Sequence, residues 1–250
     1  VHAPAVNSVD ISSYISGSAL FFTYDSLGNV AYIGVGVSQS NLYKVNLATV
    51  LVSPALSITA YTSFLGSACG GSLAFGPGAG VMLNGSLWVN SWYSTNSIAV
   101  SKVTNGVLQS TFCYSGPTAA RAIGTDGTFL IVGVERKILK MTQAGVYSVL
   151  ATTSGSVSDL QIRGSTVWFT QSGTTNLGKV NLDGTGLVQL SCSGCLSAAH
   201  LTMVGSDVYF SDNQAHRLMK YDGVNFTPYA TGMTLDGPYG LTYSASKNAI

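Results

Sequence analysis

The chain has 250 residues, a formal net charge of +1 and only 8% charged side chains, against roughly 25% in an average soluble domain. A hydrophobic fraction of 46%, with 13 Tyr, 9 Phe and 3 Trp, excludes intrinsic disorder. Its 11 scattered Lys and Arg side chains do not make the basic face that nucleic acid needs, and no apolar run approaches the ~20 residues of a membrane span.

Taken in chain order, the segments read as short strands separated by turns. Residues 1–15 are expected to supply an outer strand from about Val6 to Ile15. A first strand starts near Leu20, followed by a turn at Leu27-Gly28-Asn29, a strand NVAYIGVG from Asn29 and a strand NLYKVNL from Asn41. The pattern restarts near Leu73, turns at Asn84-Gly85, and continues as SLWVNSW from Ser86 and IAVSKV from Ile98. It restarts near Ala122, with Asp126-Gly127 as the turn, TFLIVGV from Thr128 and KILKMT from Lys137. Leu160 opens the next unit, with TVWFTQS from Thr166 and NLGKVNL from Asn176. Leu201 opens a fifth, with DVYFSDN from Asp207 and RLMKYD from Arg217, and Leu241 begins a sixth that stops at Ile250. The turn residues Gly, Asn and Asp accept the positive φ of tight hairpins, and no stretch carries apolar residues at helical spacing.

Each third strand holds a lysine at the same place: Lys44, Lys102, Lys140, Lys179 and Lys220. A lysine there covers apolar surface with its stem and keeps its ammonium in water. First strands recur 38 to 53 residues apart, close to the ~40–50 of four-stranded propeller blades. The expected architecture is all-β, a six-bladed β-propeller of four-stranded antiparallel blades forming one domain over residues 1–250. Its sixth blade is split between the termini or incomplete, and residues 1–15 are the candidate ring-closing strand. An incomplete blade leaves a sheet edge that another chain can complete. With Val1 first and no signal-peptide pattern, the sequence reads as a processed chain or a fragment.

VYFSDNQAHRLMKYDG, from Val208 to Gly223, resembles an NHL-type repeat, and VWFTQSGTTNLGKVNLDGTG, from Val167 to Gly186, resembles repeats of the YWTD and streptogramin-lyase propellers. The resemblance covers five blades at the level of the repeat. It implies the propeller fold, and a range of functions from protein-binding ectodomains to ring-opening lyases and lactonase-like hydrolases. Streptogramin-lyase repeats often follow WFT with Glu, where this chain has Gln171. Its single Glu, Glu135, stands beside Arg136 and Lys137. No acidic cation site is therefore carried over, and no metal or cofactor is expected.

The residues just before the first strands are Ala19, Ser72, Arg121, Asp159, His200 and Gly240. Arg121, Asp159 and His200 thus stand at equivalent positions in three successive blades. An Arg can hold an anion, and an Asp beside a His can orient it as a general base. The alternative is an Arg121–Asp159 ion pair at the rim with His200 hydrogen-bonded beside it. Loops joining second to third strands add Trp92, Tyr93, Gln171, Asp212 and Asn213, with His216 close behind. Aromatic and amide groups at a rim suit a glycan or peptide, although Trp92 and Tyr93 can equally pack beneath a loop. Asp212-Asn213 offers two oxygens where Ca²⁺ needs six to eight, and Asp183-Gly184-Thr185-Gly186 reads as a turn.

Cys69, Cys113, Cys192 and Cys195 fall in or near connections between blades. An even count in a chain of extracellular character favours disulfides, with Cys69 and Cys113 bridging neighbouring blades and Cys192-Ser193-Gly194-Cys195 closing a local loop. A four-Cys zinc site is the rival. Asn84-Gly85-Ser86 and Asn225-Phe226-Thr227 are glycosylation sequons. Together these features favour an extracellular or cell-surface propeller that binds a protein or glycan without catalysis. A self-associating structural subunit and a lyase- or lactonase-like enzyme are the alternatives.

Overall fold

The computed structural model describes residues 18–25, 30–36, 41–46, 51–56, 69, 77–94, 97–115, 121–174 and 176–229. Within them the chain forms five antiparallel sheets of four strands, each an up-and-down meander. Sheet 1 holds β1 (Ser18–Asp25), β2 (Val30–Gly36), β3 (Asn41–Asn46) and β4 (Leu51–Leu56). Sheet 2 holds β5 (Pro77–Leu83), β6 (Ser86–Ser94), β7 (Ser97–Thr104) and β8 (Val107–Ser115). β9 (Ala122–Thr125), β10 (Leu130–Val134), β11 (Lys137–Met141) and β12 (Tyr147–Thr152) make sheet 3. Sheet 4 follows with β13 (Ser156–Arg163), β14 (Thr166–Ser172), β15 (Asn176–Asn181) and β16 (Val188–Ser191). Sheet 5 is β17 (Ala198–Val204), β18 (Asp207–Asp212), β19 (Arg217–Tyr221) and β20 (Phe226–Pro228). The expected sixth blade near Leu241, the ring-closing strand within residues 1–15 and the positions Ser72, Leu73 and Gly240 lie outside the described residues.

The first strands β1, β5, β9, β13 and β17 pack one against the next in chain order, so consecutive sheets stack face to face around a common axis. The core is correspondingly divided into layers between sheets. Trp88, Ile98 and Val100 of sheet 2 meet Ile123, Leu130, Val132 and Leu139 of sheet 3. Ile131 and Ile138 of sheet 3 meet Leu160, Val167 and Phe169 of sheet 4. A sheet covered on both faces needs apolar side chains on both, which is why β10 reads LIVGV with every residue buried.

Second and third strands pair in one register throughout. Tyr32 faces Lys44, Trp88 faces Lys102, Ile131 faces Lys140, Trp168 faces Lys179 and Tyr209 faces Lys220. Three of these lysines lie over the ring of their cross-strand partner: Lys102 at 5.7 Å from the Trp88 centroid, Lys179 at 5.3 Å from Trp168 and Lys220 at 6.0 Å from Tyr209. Ring and stem cover each other while the ammonium reaches the edge of the sheet. Lys220 also donates to Asp207 at 2.6 Å, and this hydrogen bond raises the lysine above its ordinary value.

Both disulfides form, and no described cysteine is a free thiol. Cys113 lies inside β8 rather than in a connection, so its bond to Cys69 ties the segment entering sheet 2 to that sheet's own outer strand. The expectation that the two stand in successive connections and bridge neighbouring blades is corrected accordingly. Cys192–Cys195 closes the loop after β16, and both sulfurs are buried with Leu177, Leu201 and Phe210.

Packing is tight at Gly178, where a Cβ would overlap the Phe169 ring. Phe169 is fully buried between sheets 3 and 4 and cannot turn away. Gly178→Ala is expected to destabilise the fold by about 2–3 kcal/mol, the upper part of the usual cost of overpacking. Denaturant unfolding checks this, and adding Phe169→Leu to the same chain should recover part of the loss.

Candidate functional site

The candidate site is built on a bulge near the start of the first strands. In sheet 4, Val157 pairs with Gln171 and Asp159 with Thr170, which leaves Ser158 as the extra residue. In sheet 5, Ala199 and His200 together stand opposite Ser211. β1 and β5 shift register at the same place. In sheet 3, Ala122 pairs with Gly133, the counterpart of Thr170, so Arg121 occupies the bulge position. Arg121 is therefore equivalent to Ser158 and Ala199, one residue out of step with Asp159 and His200. An extra residue without a partner leaves no periodic trace, and the equivalence read from the sequence is corrected by one.

The bulges are closed by bonds across the blade interface. Thr170 Oγ1 donates to the Ala199 carbonyl, and Asn90 Nδ2 donates to the Ala122 carbonyl at 3.1 Å. Asp159 is anchored in the same way. Its Oδ1 accepts the Leu160 N–H at 2.8 Å and its Oδ2 accepts the Leu201 N–H of the next sheet at 2.9 Å. His200 Nδ1 lies 3.7 Å from the same Oδ2. The Asp159–His200 pair thus forms, but the carboxylate is held first by two backbone amides. Arg121 is exposed on the same cleft, and no Arg121–Asp159 ion pair is among the salt bridges of the described residues.

Gln171 and Asp212 occupy one register position at the ends of β14 and β18, and both are fully buried. Gln171 Oε1 accepts the Gly155 N–H at 2.6 Å and the Ser154 hydroxyl at 3.1 Å, while its Nε2 donates to Gln189. Asp212 Oδ1 accepts the N–H groups of Leu196 and Ser197 at 3.0 and 2.8 Å, and Oδ2 takes Arg217 at 3.1 Å. Each side chain locks the loop that leads into its own first strand. Both side chains, expected at the rim as binding groups, are buried and hydrogen-bonded to these loops. Trp92 and Tyr93 sit at the corresponding end of β6, where register shifts past Trp92; the expectation about their side chains lies outside the described residues.

Between sheets 3, 4 and 5 these loops leave a cleft of about 530 Å³. Arg121, Ser158 and Ala199 form its bulge-level wall, joined by His200, Ser172 and Ser197. Asn213, Gln214 and His216 come from the β18–β19 loop, whose short 3₁₀ turn ends on His216 in the left-handed region at φ 50°. Ser158 Oγ and Asn213 Oδ1 are buried in this wall with no hydrogen-bond partner among the described residues. Ser158 was missed because a serine in a Ser-rich segment carries no signal until the bulge places it. Among the described residues no three His, Cys, Asp or Glu side chains converge as a metal site.

No protein-family model and no curated protein sequence matches the chain. Solved structures do match. Virginiamycin B lyase from Staphylococcus aureus superposes with a TM-score of 0.67 at 12% identity, covering 88% of this chain and 72% of the lyase. A chain in the nidogen/laminin complex gives 0.64 at 16% identity, covering 82% and 75%. The chain is a β-propeller. A second propeller structure, a streptogramin B lyase, matches at a TM-score of 0.65 and 11% identity over 88% of this chain and 71% of that one. At such identities the likeness establishes the fold alone, as the NHL, YWTD and streptogramin-lyase repeat resemblance implied. No described helix of the propeller is long and apolar enough to cross a membrane.

The Asp212 lock yields a direct test. Asp212→Ala removes the acceptor of two loop amides and the partner of Arg217, at an expected cost of about 3 kcal/mol in urea unfolding. Asp212→Asn keeps an amide oxygen for the two N–H groups and should lose less than half as much.

Proposed function

We propose that this chain is a single extracellular propeller domain that binds a partner, protein or glycan, at the bulge end of its blades without transforming it. The observation that carries this reading is the cleft between sheets 3, 4 and 5, where buried Ser158 Oγ and Asn213 Oδ1 have no partner among the described residues. Buried polar atoms without partners are costly, so a wall that keeps two of them is suited to a polar ligand. The catalytic alternative has weaker support. A general base needs a carboxylate that answers to the histidine, whereas Asp159 is held by the Leu160 and Leu201 amides and lies 3.7 Å from His200. Two disulfides fit an oxidising compartment, and the nidogen neighbour, solved in a complex with laminin, is a propeller-fold chain with a protein partner.

Arrayed glycans and purified extracellular proteins, tested against the native chain and Arg121→Ala/His216→Ala, examine the proposal. A ligand held by the native chain and at least ~10-fold weaker on the double variant is expected, the size of a lost charge-assisted contact. Turnover of any bound compound that vanishes in His200→Ala would overturn the non-catalytic reading.

A second reading, self-association into a structural assembly, is favoured by the outer strands. β4, β8, β12, β16 and β20 contain no Asp, Glu, Lys or Arg. β12 exposes Tyr147 and Val149 at 47% and 50%. Charge on edge strands is a common guard against pairing with another chain. Light scattering across a concentration series is expected to show association that Val149→Lys abolishes, and a monomer at every concentration rules this second reading out.

A further inference from the structure

We infer that Asn84 and Asn225 are acceptors for N-linked glycans, Asn225 the more fully occupied, and that the chain carries these glycans at the end of its blades opposite the cleft. The inference rests on the extracellular part of the proposed reading, since such glycans mark surface loops of secreted chains. Asn84-Gly85-Ser86 and Asn225-Phe226-Thr227 are the two places in the sequence where Ser or Thr stands two residues after an asparagine. Both fall in turns at one end of the blades. Asn84 lies between β5 and β6 beside the Leu83–Ser86 pair, at the far end of β5 from its bulge between Pro77 and Ala79. Asn225 lies between β19 and β20 beside the Tyr221–Phe226 pair. The opposite end of β19, at Arg217, adjoins the loop that brings Asn213 and Gln214 to the cleft.

Both asparagines are exposed. A Cβ built on Gly85 or on Gly223, the glycines of these turns, would meet no atom within 4 Å. Asp222 Oδ1 accepts the backbone N–H of Asn225 at 2.7 Å, which sets the turn without engaging the side-chain amide. Val224 and Val107, 81% and 57% exposed, stand in turns at this same end. A hydrated glycan suits such a surface in a chain with so few charges. In the transfer, Asn Nδ2 displaces the pyrophosphate from the anomeric carbon of a lipid-linked sugar pyrophosphate. An N–C bond replaces a C–O bond, the electron pair leaves on the phosphate oxygen and one amide proton is released. The motif also requires the Ser or Thr hydroxyl, and this sets the order of occupancy. Ser86 is 3% exposed and shares a hydrogen bond with the Thr104 hydroxyl at 2.8 Å, so folding of sheet 2 withdraws it. Thr227 stays exposed on β20. Asn105 is exposed in a left-handed turn like that of Asn84, φ 52° against 50°, but Gly106-Val107 follows it, and it is the internal control.

The full chain, secreted from cultured eukaryotic cells and treated with a peptide N-glycosidase, tests this by mass spectrometry. Loss of glycan mass is expected, with Asn225 and Asn84 converted to aspartate, Asn225 in the larger fraction, and Asn105 unchanged. Asn225→Gln should remove one glycan and Asn84→Gln the other. Thr227→Ser should keep the glycan on Asn225 and Thr227→Ala should lose it, a contrast that misfolding does not produce. A secreted, disulfide-bonded chain with neither asparagine converted overturns the inference and leaves the extracellular reading standing. Occupancy of Asn84 equal to or above that of Asn225 overturns the order drawn from the buried Ser86 hydroxyl. A chain retained in the cell with free thiols overturns the inference and the extracellular reading together.

Discussion

Every sheet in the middle of this molecule is covered on both faces by other sheets, and that constraint governs where each kind of residue can stand. A charge placed on such a face would be buried between apolar layers at a cost of several kcal/mol. The chain meets the constraint by having few charges at all, 8% of its residues, and by setting third-strand lysines beside aromatic rings. Lys102 over Trp88 and Lys179 over Trp168 are two solutions of that kind. The same crowding fixes Gly178 beneath Phe169. Propensity is secondary here, since glycine is a poor strand residue yet the only one whose volume fits.

Four of the polar side chains that enter the interior sit at one end of the second strands, and each of these has a structural partner. Asn90 and Thr170 reach carbonyls of the next sheet, while Gln171 and Asp212 hold the loop entering their own sheet. This division has a functional consequence. Sheet-to-sheet bonds tie the bulge level together and loop locks hold the walls above it, which on the proposed reading places the groups that line the cleft in advance of a ligand. Preorganisation of that sort lowers the ordering cost of binding.

How much of this was legible in the sequence follows from periodicity. The alternation of apolar residues and the recurring third-strand lysine repeat from blade to blade, so five second strands and five third strands could be located to within a few residues from sequence alone. Turns such as Asn84-Gly85, with φ of 50° and 70°, carry their own chemical signature. The bulge does not. One unpaired residue in β13 and β17 changes which side chain faces the cleft without altering any composition or spacing, and it moved Arg121 out of register with Asp159 and His200. Burial was also illegible for Gln171 and Asp212, because a polar residue at a strand end looks the same whether it faces water or the loop beside it.

The Asp159–His200 pair shows how a constellation of chemically suggestive residue types can be engaged by the backbone of the fold itself. Proximity is present, with Nδ1 and Oδ2 3.7 Å apart. What decides the matter is the competition for the carboxylate. Two backbone N–H groups, one from its own strand and one from the next sheet, hold both oxygens at 2.8 and 2.9 Å. They are donors that do not move, because each belongs to a bulge the fold requires. Both oxygens are thus engaged at shorter distances than the 3.7 Å between Oδ2 and the imidazole. The negative charge therefore serves the bulge. His200 beside it is a polar group of the cleft wall, which it shares with Arg121.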